Sequence, residues 1–291
     1  MNYLILFTAM LLLTGQTISF KEFNRVYMKN NASFFGFNFI YFSFIALIFL
    51  FSGGPLDRFQ PLTVLCGMSF GIIFLTMVFY YMKAMETGPL SFTSLFFSMG
   101  ILGPIVFGVI FWHEKIKVLQ FFSLALLFVT FYLCGDSSGG SKKKVHFKWV
   151  FYCLLAFFTN GAAMSIMKEH QILMQGLKIR EFLIVGFGTA SIISMLFFII
   201  FWLKKQPVSH FRNVPFIYVV LGAALTTAFG NKLNLYLNTH IPSIIQFPVT
   251  FGGIVILSTL TSRLFYKETL SRKGLIGLGI GLVALILIGI A

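Results

Sequence analysis

The sequence predicts an all-α integral membrane protein, with ten transmembrane helices arranged as two inverted five-helix repeats, and three observations predict it. Hydrophobic residues fill 58% of the 291 positions and charged residues only 10%, where a soluble domain carries roughly a quarter charged. Apolar runs recur from end to end, each near or above the ~18 to 20 residues that a helix needs to cross ~30 Å of hydrocarbon. The third observation is an internal echo on either side of the Gly/Ser-rich stretch Asp136-Ser137-Ser138-Gly139-Gly140-Ser141.

The apolar runs place helices over 2–20, 34–51, 61–83, 89–111 and 117–134, then over 148–167, 181–203, 215–238, 242–265 and 272–291. The first repeat is therefore 1–135, the linker 136–147 and the second repeat 148–291. The first helix is read as retained rather than cleaved, because Met1-Asn2-Tyr3 supplies no basic region and Thr14 to Ser19 no cleavage pattern. Helices 4 and 9 both open on proline, Pro89 and Pro242, where a missing N–H is harmless. Both end in related stretches, Trp112-His113-Glu114-Lys115 and Tyr266-Lys267-Glu268-Thr269. Helices 1 and 6 share a second echo: Thr14-Gly15 and Asn160-Gly161 are followed by Ser19 or Ser165 and then by Lys21-Glu22 or Lys168-Glu169. An odd number of spans per repeat starts the second on the opposite side of the membrane, the architecture of many secondary transporters.

The net charge of +14 sits mostly in short segments between apolar runs, so anionic lipid headgroups rather than nucleic acid are the expected partner. Lys142, Lys143 and Lys144 read as a solvated juxtamembrane loop. Cys66, Cys134 and Cys153 lie in or at the edge of helices with no CxxC spacing, so no disulfide framework, metal or cofactor is expected.

The five-plus-five plan, the proline-initiated helices 4 and 9, Glu114 and Glu268 just after them, and the run Asn231-Lys232-Leu233-Asn234-Leu235-Tyr236-Leu237 with the later Phe247-Pro248 resemble the drug/metabolite transporter superfamily, specifically its EamA-like bacterial branch of ten-helix carriers. The resemblance covers nearly the whole chain. It implies a multi-pass protein of the bacterial cytoplasmic membrane whose pocket is lined by helices 1 to 4 and 6 to 9. It leaves the cargo open, since members carry amino acids, nucleotide sugars, choline, drugs and other metabolites.

Polar side chains deep in a membrane helix usually face a cavity or a partner helix. Helix 8 is richest: Asn231, Asn234 and Asn238 form one stripe, while Lys232 and Tyr236 are read as a second stripe beside it. Turned inward, Lys232 would attract an anion; turned outward, it would snorkel to the interface. Lys83, at the end of helix 3, poses the same choice. Ser91, Ser94 and Ser98 in helix 4 match the spacing of Ser243, Gln246 and Thr250 in helix 9. Ser94, Ser98 and Gln246, with Gln16 and Asn160, complete the candidate substrate-binding set. For the serines helix packing is the plainer reading, for the asparagines of helix 8 packing and recognition stand level, and Gln246, Gln16 and Asn160 are harder to assign to packing. Pro104 and Pro248 are candidate hinges. Gly277 and Gly281 form a GxxxG pattern through which two copies would pair.

All eight acidic residues are placed at helix ends or in loops, which disfavours a proton-driven exporter of cations. Glu114 and Glu268 are expected to cap or pair there. No Walker sequence, HExxH or GxSxG occurs. The expected function is thus a non-enzymatic secondary transporter of a small neutral, zwitterionic or anionic metabolite; the rivals are an intramembrane enzyme and a non-transporting scaffold or sensor. Loops after helices 1, 5, 7 and 9 hold thirteen Lys and Arg, against six after helices 2, 4 and 6. The positive-inside rule therefore puts both termini outside, whereas the resemblance implies termini inside.

Overall fold

A computed structural model describes residues 1–53, 56–87, 97–135, 147–207, 214–266 and 272–290. Among these residues there are ten α-helices: α1 (Asn2–Val26), α2 (Asn31–Phe51), α3 (Pro61–Thr87), α4 (Leu102–Ile110), α5 (Val118–Gly135), α6 (Phe147–Leu173), α7 (Ile179–Leu203), α8 (Val214–Leu237), α9 (Ser243–Tyr266) and α10 (Arg272–Ile290). A 3₁₀ turn, Met99–Ile101, leads into α4.

Six helices, α1, α2, α3, α6, α7 and α8, are long and apolar enough to cross a membrane. Their outer faces carry large exposed apolar side chains, such as Ile192, Leu196 and Ile200 along α7, surface that only lipid tolerates in such quantity. The chain is a multi-pass helical membrane protein.

Several helix ends differ from the sequence expectation, two of them, at α1 and α6, by six residues. Helix α1 continues to Val26 and α6 to Leu173, past Lys21-Glu22 and Lys168-Glu169, where the apolar runs end. Charge marks where hydrocarbon ends, not where backbone hydrogen bonding ends. Lys168 and Glu169 consequently lie inside α6 and leave the loop charge count. Elsewhere local chemistry sets the ends: Asn30 caps α2 by accepting from Ser33 N at 2.8 Å, and α3 begins on Pro61.

Helices α2 and α7 form the central pair and run antiparallel. Arg180 donates to Phe49 O at one end, Ser43 meets Ser191 in the middle, and Phe35 stacks on Phe201 at the other. Helices α1 and α8 also run antiparallel, since Leu13 lies against Gly230, Gly15 against Thr226 and Ser19 against Gly222. So do α3 and α6, joined through Thr63 and His170 at one end and Tyr80 and Tyr152 at the other. Advancing every helix number by five, cyclically, converts the α1–α8 packing into α6–α3, and α3–α7 into α8–α2. The same exchange converts α1–α9 into α6–α4 and leaves α2–α7 and α5–α10 unchanged.

Aromatic side chains fill the interior. Phe23 stacks on Phe37 with centroids 3.8 Å apart, and contacts continue through Tyr41, Phe42, Phe187, Phe70 and Phe182 to His170. The backbones of α3 and α7 pass close together: a Cβ built on Gly71 would stand 2.2 Å from the Gly186 carbonyl oxygen.

Of the two proline positions, Pro104 follows the 3₁₀ turn, as fits a residue that removes a backbone donor, whereas α9 runs through Pro248 without interruption. Gly277 and Gly281 are both buried within the chain. A Cβ on Gly281 would meet Thr130 of α5 and Ile256 of α9, so at that position the GxxxG face is already occupied by this chain's own helices.

Candidate functional site

Buried polar side chains gather at several places along the bundle, and the turns fix the frame. At one end Lys178, before α7, pairs with Asp57, before α3; there a Cβ on Gly176 would approach Thr239 in the α8–α9 turn. This is the Asp57 end. The Lys178 ammonium, hydrogen-bonded to Asp57 at 2.8 Å, holds that carboxyl below its ordinary range. At the other, Asn30 end, the α1–α2 turn meets the α7–α8 turn: Asn30 donates to Pro207 O and Gln206 accepts from Ala32 N.

The first cluster crosses the middle of α1, α2 and α8. Gln16 Nε2 donates to Tyr41 Oη at 3.1 Å, and Tyr41 donates to Thr227 Oγ1 at 2.6 Å. Asn231 Nδ2 then donates to Thr227 O one turn back. On the opposite side of the bundle Asn160 is buried where α6 crosses the start of α4, donating to Phe97 O at 2.9 Å.

The second cluster joins the last turns of α8 to the first turns of α9. Gln246 Nε2 is surrounded by three acceptors, Asn234 O, Asn234 Oδ1 and Asn238 Oδ1, at 2.7 to 2.8 Å. Gln246 Oε1, Asn238 Nδ2 and Thr250 Oγ1 are buried beside it without a hydrogen-bond partner. A buried polar group left unpaired costs about 1–3 kcal/mol, so three in one hairpin make an expensive arrangement unless another molecule satisfies them.

At the Asp57 end this cluster adjoins a charged one. Lys168 of α6 is buried and donates to Glu114 Oε1 and to Ser243 Oγ. Glu114 Oε2 accepts from Ser243 N at 2.8 Å, placing a carboxylate on the N-terminus of α9, where the helix dipole favours it. Trp112 lies over Lys168 with its ring 5.0 Å away, and its indole N–H donates to Glu169 at 2.6 Å. The backbone delivers Glu114 to this spot: His113 takes a left-handed turn at φ 53 and Glu114 N bonds back to Gly108 O. A Cβ on Gly108 would come within 2.8 Å of Glu114 Oε2, so a side chain there would push the carboxylate from this position.

The structure thus brings Asn234, Asn238 and Gln246 together, and separately Gln16 with the neighbourhood of Asn231, while Asn160 is held by Phe97 O, just before the 3₁₀ turn. Lys232 is a correction. It is exposed and shares the outward stripe of Tyr218, Leu225 and Phe229, because a turn of roughly 100° per residue carries it to the far side of α8 from the asparagines, not beside them. Tyr236 lies on that outer side too, stacked on His240. Lys83 pairs with Glu86 one turn on, at the end of α3. Ser98 is buried before the 3₁₀ turn; Ser91, Ser94 and Glu268 lie outside the described residues. Lys232→Ala should therefore leave ligand affinity of the purified protein within twofold of wild type in a titration; a tenfold loss would return Lys232 to the site.

Tyr41, Thr227 and Lys168 were not among the sequence candidates. For Tyr41 and Thr227 no pattern marked them, since a lone hydroxyl in an apolar run packs unnoticed. For Lys168 the signal existed in the Lys21-Glu22 and Lys168-Glu169 echo. Glu114 caps and pairs at a helix end, as expected, but it does so half-buried between helices. Glu169 departs from the expectation that acids avoid helix interiors only by lying within the last turns of α6.

No protein-family profile matches the chain, and no curated protein matches it. A solved structure, described only as "Crystal structure of protein", is similar over 98% of this chain and 95% of its own length, with a TM-score of 0.78 at 15% identity. That likeness establishes a shared fold and nothing more.

Proposed function

We propose that the chain is a secondary transporter of a small polar metabolite, of the EamA-like drug/metabolite type and resident in a bacterial cytoplasmic membrane, working by alternating access between two inverted five-span repeats. The antiparallel packing of α2 against α7, second helices of their halves, supports the inversion, as does helix packing that survives exchange of the halves. The observation that carries the function is the open hydrogen-bonding capacity of Gln246 Oε1, Asn238 Nδ2 and Thr250 Oγ1 inside a lipid-embedded bundle. A scaffold gains nothing from such groups, whereas a carrier needs a donor and acceptors that a solute can satisfy in place of its water. With Lys232 on the outer face, neutral and zwitterionic solutes fit this cluster better than anionic ones.

A thermal-shift screen of purified protein against neutral, zwitterionic and anionic metabolites tests the reading, because a true ligand stabilises by mass action. Hits then go to liposome counterflow. The expected result is saturable exchange of an unaltered solute, lowered at least tenfold by Gln246→Leu in folded protein. Chemical conversion of the solute, or counterflow untouched by Gln246→Leu, would contradict it.

A further inference from the structure

We infer that Lys168, Glu114 and Ser243 form a latch between the two halves that holds the Asp57 end of the bundle shut, with the unpaired groups of the α8–α9 hairpin sealed behind it. The inference rests on the carrier reading and adds to it which end is closed and what closes it. Glu114 belongs to the first half, in the turn after α4, while Lys168 and Ser243 belong to the second, on α6 and at the start of α9. One carboxylate therefore ties the halves together twice, once through charge and once through a backbone N–H.

Three features make this a closure rather than surface decoration. The Lys168 side chain is only 3% exposed and Glu114 14%, so the ammonium cannot be fully hydrated unless the halves part. Trp112 covers the ammonium, and Glu169 holds the Trp112 indole, so the cover itself is anchored to α6. Ser243 lies one turn before Gln246 on α9, and moving the α9 terminus away from Glu114 would also move the hairpin that carries Gln246 Oε1 and Thr250 Oγ1. Separation of the halves at this end must break both ties and uncover the polar cluster in one motion. In sequence, the echo pairs Lys168 with Lys21 and Glu114 with Glu268, so both halves supply one lysine and one glutamate to the pattern.

Double electron–electron resonance on reconstituted protein, with the native cysteines replaced by serine, tests this. Labels at Arg58→Cys and Thr239→Cys span the halves at the Asp57 end; labels at Lys29→Cys and Lys204→Cys span them at the Asn30 end. All four positions are exposed. Glu114→Gln and Lys168→Met should each add a longer Arg58–Thr239 population and, in matched samples, shorten the Lys29–Lys204 distance. Lys168→Arg, which keeps the charge, should retain the wild-type distribution. Unmoved Arg58–Thr239 distances in both neutral variants would overturn the latch, as would lengthening without change at the Asn30 end, which is local fraying. If wild-type counterflow persists alongside unmoved distances, the latch fails and the carrier reading stands. If the distances respond but no solute exchanges, the carrier reading fails instead.

Discussion

Glu114→Ala should lower stability by about 3–5 kcal/mol, because it strands the Lys168 ammonium in a buried site and uncaps α9 at once. The double change Glu114→Gln with Lys168→Met should cost much less than the single one. It removes the charge that needed a partner and leaves a side chain of similar length over Trp112. Thermal unfolding in detergent, read as fraction folded, compares the two. A single variant that costs under about 1 kcal/mol would mean that Lys168 finds water or another acceptor, and would remove the ion pair from the account.

Gly71→Ala should be comparably severe for a steric reason. The added carbon would stand 2.2 Å from the backbone oxygen of Gly186 and 3.1 Å from Thr189, and neither the helix backbone nor its packing against Phe70 can yield locally. Overpacking of a core costs about 1–3 kcal/mol where side chains can shift; where the obstacle is the backbone of α7, the expected loss is at the top of that range or beyond. Gly188→Ala, two residues further along α7, is the control, since its Cβ would meet nothing within 4 Å. It should be neutral or gain up to about 1 kcal/mol from helix propensity. Equal behaviour of the two variants in thermal unfolding would contradict the close α3–α7 crossing.

The helical framework was legible because apolar run length is a one-dimensional property. The described helices fall on the expected apolar runs, though the expected start of helix 4 at Pro89 lies outside the described residues, and the larger errors fall at Lys21 and Lys168, where a charged residue continues a helix that the hydrophobic pattern says has ended. The stripe of Asn231, Asn234 and Asn238 was legible for the same reason, being a matter of helical spacing, and Gln246 proved to be its partner. The side of α8 occupied by Lys232 stayed open in the sequence, where inward and snorkelling orientations both fit. Leu225 and Phe229 share its face, and in a chain apolar on every side nothing but packing says which apolar face meets lipid. The Lys168–Glu114 pair was hidden by distance along the chain: its members are 54 residues apart, in different halves. Only the repetition of lysine and glutamate in both halves hinted that they act together.

The central claim is that the two halves enter the membrane in opposite senses, so that Arg58 and Thr239 share one face while Lys29 and Lys204 share the other. Single cysteines at these four exposed positions, in a background without native cysteine, can be challenged in intact cells with a membrane-impermeant thiol reagent. The account predicts that one pair is modified from outside and the other only after the membrane is breached. Modification of Arg58→Cys and Thr239→Cys from opposite sides, or of all four from the same side, would contradict it.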